Sequence, residues 1–408
     1  MISTQTLEDV FRQLAERFAP EIIRIRRLIH QYPELAFQEF KTASLVEETL
    51  KQLAMPVRTG IAGTGVIATL KGAKPGPTIA LRADMDALPI EEKNTFPFAS
   101  KHQGTMHACG HDAHTAMLLG VAMILSEIRN QLHGTIRFIF QPSEEKLPGG
   151  ALAMIQAGAL DADTLSPAPQ SIFAQHVFPD LPTGTIGLRR GPYMAAVDEL
   201  YFTIKGPGGH AASPHRLGGD TVLAAAHMIT ALQSIISRDR PPNLPAVLSI
   251  GKVNAPGATN ILPEEVQMAG TLRSMDESWR ERAHHKIKAI AQHTAEAFGA
   301  TCEVTILKGY PVLVNDPALT DFVRERAIEY VGADRVHTLE PTMGSEDFAW
   351  YLQKIPGVFY RLGIRNEAKG IVHGLHTPQF TVDEEALPIG SGFMAYLAFH
   401  KTAQQSEK

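Results

Sequence analysis

The sequence has little cysteine, no long apolar stretch and no block of basic residues. Its 408 residues include two cysteines, Cys109 and Cys302, so a disulfide framework does not stabilise the fold, although one bridge between them stays open. No apolar run approaches the roughly 20 residues that cross a bilayer. The N-terminal segment carries charges at helical spacing, so we expect no signal peptide and a cytoplasmic protein.

The charge balance gives no sign of a nucleic-acid or membrane partner. The formal net charge is -5, from 38 basic and 43 acidic residues, and no basic cluster is present to neutralise phosphates. A hydrophobic content of 44% is typical of an ordinary globular protein. Because 408 residues exceed the size at which one core usually keeps growing, we expect two domains.

Acidic and imidazole side chains follow three apolar runs that we predict to be buried strands. They are Asp84 and Asp86 after residues 78–81, Glu144 and Glu145 after residues 135–140, and His176 after residues 172–174. Helical segments alternate with these runs, which predicts an α/β fold with a mostly parallel sheet and helices on both faces. In such sheets binding sites lie beyond the carboxyl ends of the strands, so these side chains should meet.

The segment "MHACGHDAH", residues 106–114, carries the densest set of metal-ligand side chains. Cys109 and His111 are two residues apart, so in an extended loop both can point to one side before a helix that we predict from Thr115. Taken alone, the segment also fits a buried cysteine with surface histidines. We expect His107 and His114 to support the ligands or to lie at the surface.

Five side chains together suit two adjacent cations, because one closed tetrahedral site uses only four ligands. These predicted ligands are Cys109, His111, Glu145, His176 and His376. The neighbouring Glu144 and Glu145 point in different directions in a turn, so one carboxylate can bind metal while the other faces a metal-bound water molecule. Asp84 and Asp86 are either further ligands or second-shell groups that orient the histidines. Thiolate and imidazole suit zinc, cobalt or nickel.

The pattern of predicted elements changes between residues 193 and 309. There it reads strand, helix, strand, strand, helix, strand, which is the ferredoxin-like order of a small α+β domain. We therefore expect an inserted domain over residues 193–309, flanked by the two parts of a catalytic metal-binding domain over residues 1–192 and 310–408.

Several motifs resemble those of the aminoacylase-type metallopeptidases, in the amidohydrolase branch that contains hippurate hydrolase and the plant indole-acetyl amino-acid hydrolases. They are "LRADMDALPI", "MHACGHDAHTAMLLG", "FQPSEE", "QHV", "KGPGGHAASPH", "GTLRS", "MGSEDFA" and "LHTPQF". The resemblance implies a two-metal centre with Glu144 as general base and the five ligands named above. It also admits manganese as the metal.

The same resemblance implies roles for residues of the inserted domain. His210 would stabilise the oxyanion in the active site of a partner subunit, Asn260 and Arg273 would contact the substrate carboxylate or the tetrahedral intermediate, and Gly344 would line the pocket. Arginine suits a carboxylate because its fork donates two parallel hydrogen bonds. For Arg273 an ordinary surface ion pair is the alternative. The inserted domain is expected to act as a lid and to form a homodimer or a dimer-based tetramer.

The function predicted from these features is metal-dependent hydrolysis of the amide bond of N-acyl amino acids. The same site would serve a dedicated deacetylase of the N-acetyl-diaminopimelate type or a dipeptidase. A catalytically silent metal-dependent binding protein is the alternative from another class, and intact Glu144 and His210 argue against it. A two-metal phosphoesterase is disfavoured, because the sequence has no phosphate-binding motif and a thiolate is unusual in such sites.

Overall fold

Two sheets organise the two units of the chain in a computed structural model that describes residues 6–404. The large unit comprises the described residues up to Gly191, Val314–Glu340 and the described residues from Asp347 onward. The small unit comprises Pro192–Leu313 and Pro341–Glu346.

The helices and strands of the described residues alternate along most of the chain. The helices are α1 (Leu7–Gln31), α2 (Phe40–Gln52), α3 (His111–Glu127), α4 (Gly150–Gln156), α5 (Thr221–Ser234), α6 (Glu277–Ala297), α7 (Pro317–Val331), α8 (Ala349–Leu352) and α9 (Ala386–Ala403). The strands are β1 (Val57–Ile61), β2 (Gly65–Lys71), β3 (Lys74–Asp84), β4 (His133–Gln141), β5 (Ile172–Pro182), β6 (Ile186–Leu188), β7 (Gly191–Met194), β8 (Ala196–Lys205), β9 (Gly209–His210), β10 (Ala246–Asn254), β11 (Ile261–Leu262), β12 (Glu265–Ser274), β13 (Thr301–Lys308), β14 (Leu313–Asn315), β15 (Val336–Thr338) and β16 (Gly357–Arg365).

Apolar and charged residues at helical spacing predict two amphipathic helices over residues 4–53, of which Thr4 lies outside the described residues. Helix α1 begins at Leu7 behind the N-cap residue Thr6, whose hydroxyl accepts the backbone N–H of Asp9. Satisfying an otherwise unpaired N–H in the first turn is the usual reason for threonine at this position.

The large unit is built on an eight-stranded mixed sheet with the order β1-β2-β4-β3-β5-β16-β6-β15. Its central strands β4, β3, β5 and β16 are parallel, and β1 and β2 pair antiparallel with their neighbours. Strand β6 pairs antiparallel with β16 and parallel with β15. The prediction of an α/β fold with a mostly parallel sheet is confirmed. Parallel pairing brings the carboxyl ends of β3, β4 and β5 to one edge, where the acidic and imidazole side chains were expected.

Helix α3 is the central helix of the large unit and is apolar on all sides. Every residue from His111 to Leu125 is buried, which is what an all-round apolar helix requires. The helix packs against α1, α9 and β3. A Cβ atom at Gly120 would lie 2.6 Å from Ile22 of α1 and 2.8 Å from Ser391 of α9, so glycine permits this close approach.

The predicted start of this helix at Thr115 is wrong by one turn. Gly110 adopts a φ of 86°, in the left-handed region that glycine enters without strain, and turns the chain into α3 directly after Cys109. His111 is therefore the first residue of the helix instead of a loop residue.

The small unit has a four-stranded antiparallel sheet with the order β10-β12-β8-β13. Its elements follow the order strand, helix, strand, strand, helix, strand that defines a ferredoxin-like fold. Helices α5 and α6 cover the sheet, and Trp279 of α6 is buried in their shared core. Cys302 of β13 is a free thiol, as is Cys109 of the large unit, so the bridge that the sequence left open does not form.

None of the helices within residues 6–404 combines the length and the apolar character that crossing a membrane requires.

Removing a buried side chain from the core of the large unit should cost far more stability than removing an exposed one. Leu397 of α9 is fully buried, whereas Ile328 of α7 is 41% exposed, and each loses three carbon atoms on mutation to alanine. We expect Leu397→Ala to lower the free energy of unfolding by about 2 to 5 kcal/mol. Ile328→Ala should change it by about 0.5 kcal/mol or less. Urea denaturation measures both, and equal losses would contradict this assignment of the core.

Candidate metal centre

The five side chains predicted as metal ligands lie together in the large unit. Cys109 precedes α3, His111 begins α3, Glu145 follows β4, His176 lies in β5, and His376 follows β16. Three sets of ligand atoms each fall within 4.8 Å of one another: Cys109 with His111 and His176, Cys109 with Glu145 and His376, and His111 with Glu144 and Glu145. Because the Cys109 sulfur belongs to the first two sets, it is placed to face two cations.

Individual distances show how closely these atoms approach. The Cys109 Sγ atom lies 3.5 Å from His176 Nε2, and His376 Nε2 lies 3.1 Å from Glu145 Oε1. His111 Nε2 is 3.9 Å from the same Glu145 oxygen. Cys109, His111 and His176 are buried, whereas the His376 side chain is 52% exposed. The cluster therefore opens towards solvent on the His376 side.

His376 reaches the cluster through an uncommon backbone conformation. Its φ is 60°, in the left-handed region that few residues other than glycine adopt. Its backbone N–H donates to the carbonyl of Ala108, the residue before Cys109, over 2.8 Å. Backbone strain of this kind is typical of functional sites. Here the hydrogen bond joins the two segments that carry His376 and Cys109.

The electrostatics of the cluster fit a cationic ligand. Although burial opposes protonation, the carboxylates of Asp84, Asp86 and Glu145 raise the pKa of His111 to about 10. Burial and the neighbouring carboxylates of Glu145 and Glu144 raise the pKa of the Cys109 thiol well above its usual value. The buried Nε2 atom of His111 has no hydrogen-bond partner among residues 6–404. Metal cations would stabilise a thiolate and occupy this nitrogen, so the residues present fit a metal centre.

Asp86 links the two ligand-bearing segments around His111 and Glu145. Its Oδ1 atom lies 3.2 Å from His111 Nδ1 and accepts the backbone N–H of Glu144 over 2.9 Å. Its Oδ2 atom accepts the backbone N–H of Glu145 over 2.9 Å. A carboxylate on Nδ1 fixes the ring so that Nε2 faces a cation, which supports the orienting role for Asp86.

Asp84 is the last residue of β3 and contacts three protein groups. Its Oδ1 atom lies 2.6 Å from His114 Nδ1, and its Oδ2 atom lies 2.5 Å from Arg82 Nη1 and 3.8 Å from His111 Nε2. Both oxygens have partners in the protein, and Asp84 also forms a set of possible ligand atoms within 4.8 Å with His111 and His114.

The expectation that His107 and His114 could lie at the surface is wrong. Both rings are buried, because they flank the start of a helix that is enclosed on all sides. The Nε2 atom of His114 accepts the backbone N–H of Val177 in β5 over 2.9 Å. His114 thus joins β3 to β5 beside the candidate ligands.

The residues that the resemblance assigned to substrate contacts belong to the small unit. His210 lies in β9 and is exposed, and its Nδ1 atom accepts the backbone N–H of Ala212 over 3.1 Å. Asn260 is exposed in the loop before β11, and its carbonyl accepts the N–H of Ala211.

Arg273 is anchored inside the small unit instead of forming an ion pair at the surface. Its Nη1 atom donates to the carbonyl of Met343 over 3.0 Å and to Ser345 Oγ over 3.4 Å. Gly344 lies between these two residues, and its carbonyl accepts the N–H of Ala195. Arg273 therefore positions the segment that carries Gly344.

Sequence reasoning missed three buried polar residues that surround Glu144. Arg82 of β3, Gln141 of β4 and Asp347 contact one another, and the backbone N–H of Asp347 donates to Glu144 Oε1 over 3.4 Å. An arginine inside an otherwise apolar strand was the visible signal, because such a charge is rarely buried without a partner.

Ligand-type side chains gathered at the carboxyl edge of a parallel sheet, with a further glutamate beside them, define a candidate metal-dependent hydrolase. The model for Peptidase family M20/M25/M40 matches residues 80–400, and the chain belongs to this family of hydrolases.

Relatives of known name and structure are similar over nearly the whole chain. The N-acetyl-L-cysteine deacetylase of Bacillus subtilis is 42% identical over 374 residues, covering 92% of this chain and 86% of that protein. Thermostable carboxypeptidase 1 of Saccharolobus solfataricus is 41% identical over 380 residues, covering 92% of this chain and 94% of that protein. The Bacillus subtilis YXEP protein, whose crystal structure is described as that of a dinuclear metal binding peptidase, is 38% identical in sequence. Its structure matches with a TM-score of 0.81 over 95% of this chain and 99% of that chain.

Neutralising Asp86 should weaken metal binding without unfolding the protein. We expect Asp86→Asn to lower the affinity for divalent cations by about 10- to 100-fold, because the ring of His111 and the backbone of Glu145 lose their shared anchor. Competition with a chelator measures this affinity. Asp163→Asn is the matched control, since the carboxylate of Asp163 also accepts two backbone N–H groups, but in a loop outside the cluster. Unchanged affinity in Asp86→Asn would contradict the orienting role.

Proposed function

We propose that the protein hydrolyses the amide bond of N-acyl amino acids to a carboxylate and a free amino acid. The observation that carries this proposal is the position of Glu144 beside two sets of ligand atoms that share the Cys109 sulfur. A relative named for the deacetylation of N-acetyl-L-cysteine supports the same bond type. A relative named as a carboxypeptidase makes release of an amino acid from a peptide the second candidate.

We propose that the cluster holds two divalent cations. The residues that would bind them are Cys109, His111, Glu145, His176 and His376. Cations held there would supply Lewis acidity and would activate water near neutral pH. The structural relative described as a dinuclear metal binding peptidase supports this number. The donor set of sulfur, nitrogen and oxygen suits zinc, cobalt or nickel, and manganese is a further candidate.

Glu144 is proposed as the general base. It is buried, and only Glu145 of the two joins the set of Cys109 and His376, so we propose separate tasks for the two carboxylates. Glu144 would accept a proton from the attacking water and deliver it to the nitrogen of the leaving group, so that cleavage of the C–N bond releases a neutral amine instead of an amide anion. The backbone N–H of Asp347 donates to Glu144 Oε1 over 3.4 Å and holds this carboxylate beside the ligand sets.

His210 is proposed to stabilise the oxyanion of the tetrahedral intermediate. Because its Nδ1 atom accepts the Ala212 N–H, the neutral ring carries its proton on Nε2. An N–H donor is what a developing oxyanion needs. Asn260, Arg273 and Gly344 are proposed to bind substrate. Of the Arg273 donors, Nη1 holds the Gly344 segment, and Nη2 and Nε are proposed to bind the substrate carboxylate.

We further propose that the small unit serves as a lid and dimerises, forming a homodimer or a dimer-based tetramer. A cytoplasmic location is proposed because a free Cys109 thiolate needs a reducing compartment to remain a ligand.

Replacing Glu144 should abolish turnover while the metal ions stay bound. We expect Glu144→Gln to lower kcat by about 10²- to 10⁴-fold, because an amide of the same shape cannot accept the proton. Elemental analysis should still find two metal ions per chain, since Glu145 and its partners are unchanged. Turnover at the wild-type rate in this variant would rule out the assigned mechanism.

The substrate class is tested by release of free amino acid from a panel of N-acetyl, N-benzoyl and indole-acetyl amino acids and dipeptides. The protein is reloaded separately with manganese, zinc, cobalt and nickel, and a chelator should abolish all activity. Hydrolysis of N-acyl amino acids supports the proposal, and activity confined to dipeptides supports the second candidate. Silence across the panel with two metals bound would favour a metal-dependent binding protein.

A further inference from the structure

The loop between β4 and α4, residues 142–149, carries both Glu144 and Glu145 and is held by buried carboxylates. The backbone N–H of Ser143 donates to Glu39 Oε1 over 3.0 Å, and those of Glu144 and Glu145 donate to Asp86. Since Asp86 also contacts His111, this first set of anchors lies on the side of the metal ligands. The flanks of the loop are held by a different carboxylate.

That carboxylate is Asp347, which is fully buried and contacts the residues on both flanks of the loop. Its oxygens accept Gln141 Nε2 over 2.9 and 2.7 Å, and Gln141 is the last residue of β4. Its Oδ2 atom also accepts the backbone N–H of Ala151, in the first turn of α4, over 2.9 Å. One side chain thereby fixes the point where the loop begins and the point where it ends.

Arg82 supplies the positive charge that makes the burial of Asp347 possible. Its Nη2 atom donates to Asp347 Oδ1 over 2.7 Å, and its Nε atom donates to Gln141 Oε1 over 2.9 Å. Both side chains of the pair are essentially inaccessible. A buried ion pair with all of these hydrogen bonds gives a rigid and specific geometry, in which the backbone N–H of Asp347 points at Glu144 Oε1 over 3.4 Å.

We infer that Asp347 is a positioning residue for Glu144: its side chain, held by Arg82 and Gln141, fixes the loop flanks, and its backbone N–H fixes the Glu144 carboxylate. The inference rests on the proposed role of Glu144 as general base. Asp86 also holds His111 and the backbone of Glu145, and the predicted ligands Cys109, His176 and His376 lie on other segments, so loss of Asp347 should impair proton transfer without releasing metal. A displacement of about 1 Å in a reacting group is enough to cost about 100-fold in rate.

The test is Asp347→Asn, which keeps the shape of the side chain but places an amide NH2 against a donor, either Arg82 or the Ala151 N–H. We expect kcat for an N-acyl amino acid to fall about 10- to 100-fold, KM to stay within about twofold, and two metal ions to remain bound. A loss of metal in parallel with activity, or kcat within about twofold of wild type, would overturn the inference.

The matched control is Asp163→Asn. The carboxylate of Asp163 also accepts two backbone N–H groups and is paired with two arginines, Arg58 and Arg137, but it lies in a loop outside the cluster. The Asp163→Asn variant should keep kcat and KM within about twofold of the wild-type values. If Asp347→Asn does not fold, Gln141→Met removes two of the donations to Asp347 and keeps the pair with Arg82, and a smaller fall in kcat at unchanged KM is expected.

Hydrogen–deuterium exchange of the loop gives a readout that does not depend on turnover. Peptides that cover residues 142–149 should exchange about tenfold faster in Asp347→Asn than in the wild type, and at the wild-type rate in Asp163→Asn. If the wild type hydrolyses no substrate of the panel, the proposed function fails, while faster exchange in Asp347→Asn still supports the positioning of the loop. Unchanged exchange overturns the positioning role whatever the activity.

Discussion

The candidate site is governed by the concentration of carboxylates that the sheet buries at one edge. Asp84, Asp86, Glu144 and Asp347 are all buried there, and a buried negative charge is costly unless a cation or several hydrogen bonds compensate it. Arg82 compensates two of them, Asp84 and Asp347. Although burial opposes protonation of His111, the carboxylates of Asp84, Asp86 and Glu145 raise the pKa of its ring to about 10, which shows how strongly this point favours positive charge.

The fold places these groups together through its parallel strands. Strands β3, β4 and β5 run parallel towards the same edge: Asp84 ends β3, Glu144 and Glu145 follow β4, and His176 lies within β5. Helix α3 enters the same edge with His111 in its first turn. Because α3 is enclosed by α1, α9 and β3, its position is fixed by packing, and the ligand it carries is rigid.

The sequence was most informative where the chemistry follows a strand directly. The acidic residues at the ends of β3 and β4, the five ligand-type residues and the order of elements in the small unit are visible as local patterns. The predicted end of a strand before His176 is wrong, because β5 pairs with β16 beyond that residue and continues to Pro182. What stayed hidden depends on backbone conformation or on distant pairing. The early start of α3 depends on the left-handed φ of Gly110, and the contact between Arg82 and Asp347 joins residues 265 positions apart. No local periodicity encodes such a pair, although a lone arginine in an apolar strand indicates that a partner exists.

The loop that carries Glu144 and Glu145 is held by two separate carboxylates, Asp86 and Asp347, so metal binding and proton transfer need not depend on the same contacts. Glu144 and Glu145 are neighbours in one loop, so a single anchor would make the proposed base and the proposed ligand move together. Instead, Asp86 holds their backbone on the side of His111, and Asp347 holds the flanks of the loop and one oxygen of Glu144. Two anchors on a rigid scaffold allow each carboxylate its own geometry. The proposed base has to approach the substrate, whereas the proposed ligand has to stay in place, so the two need different positions.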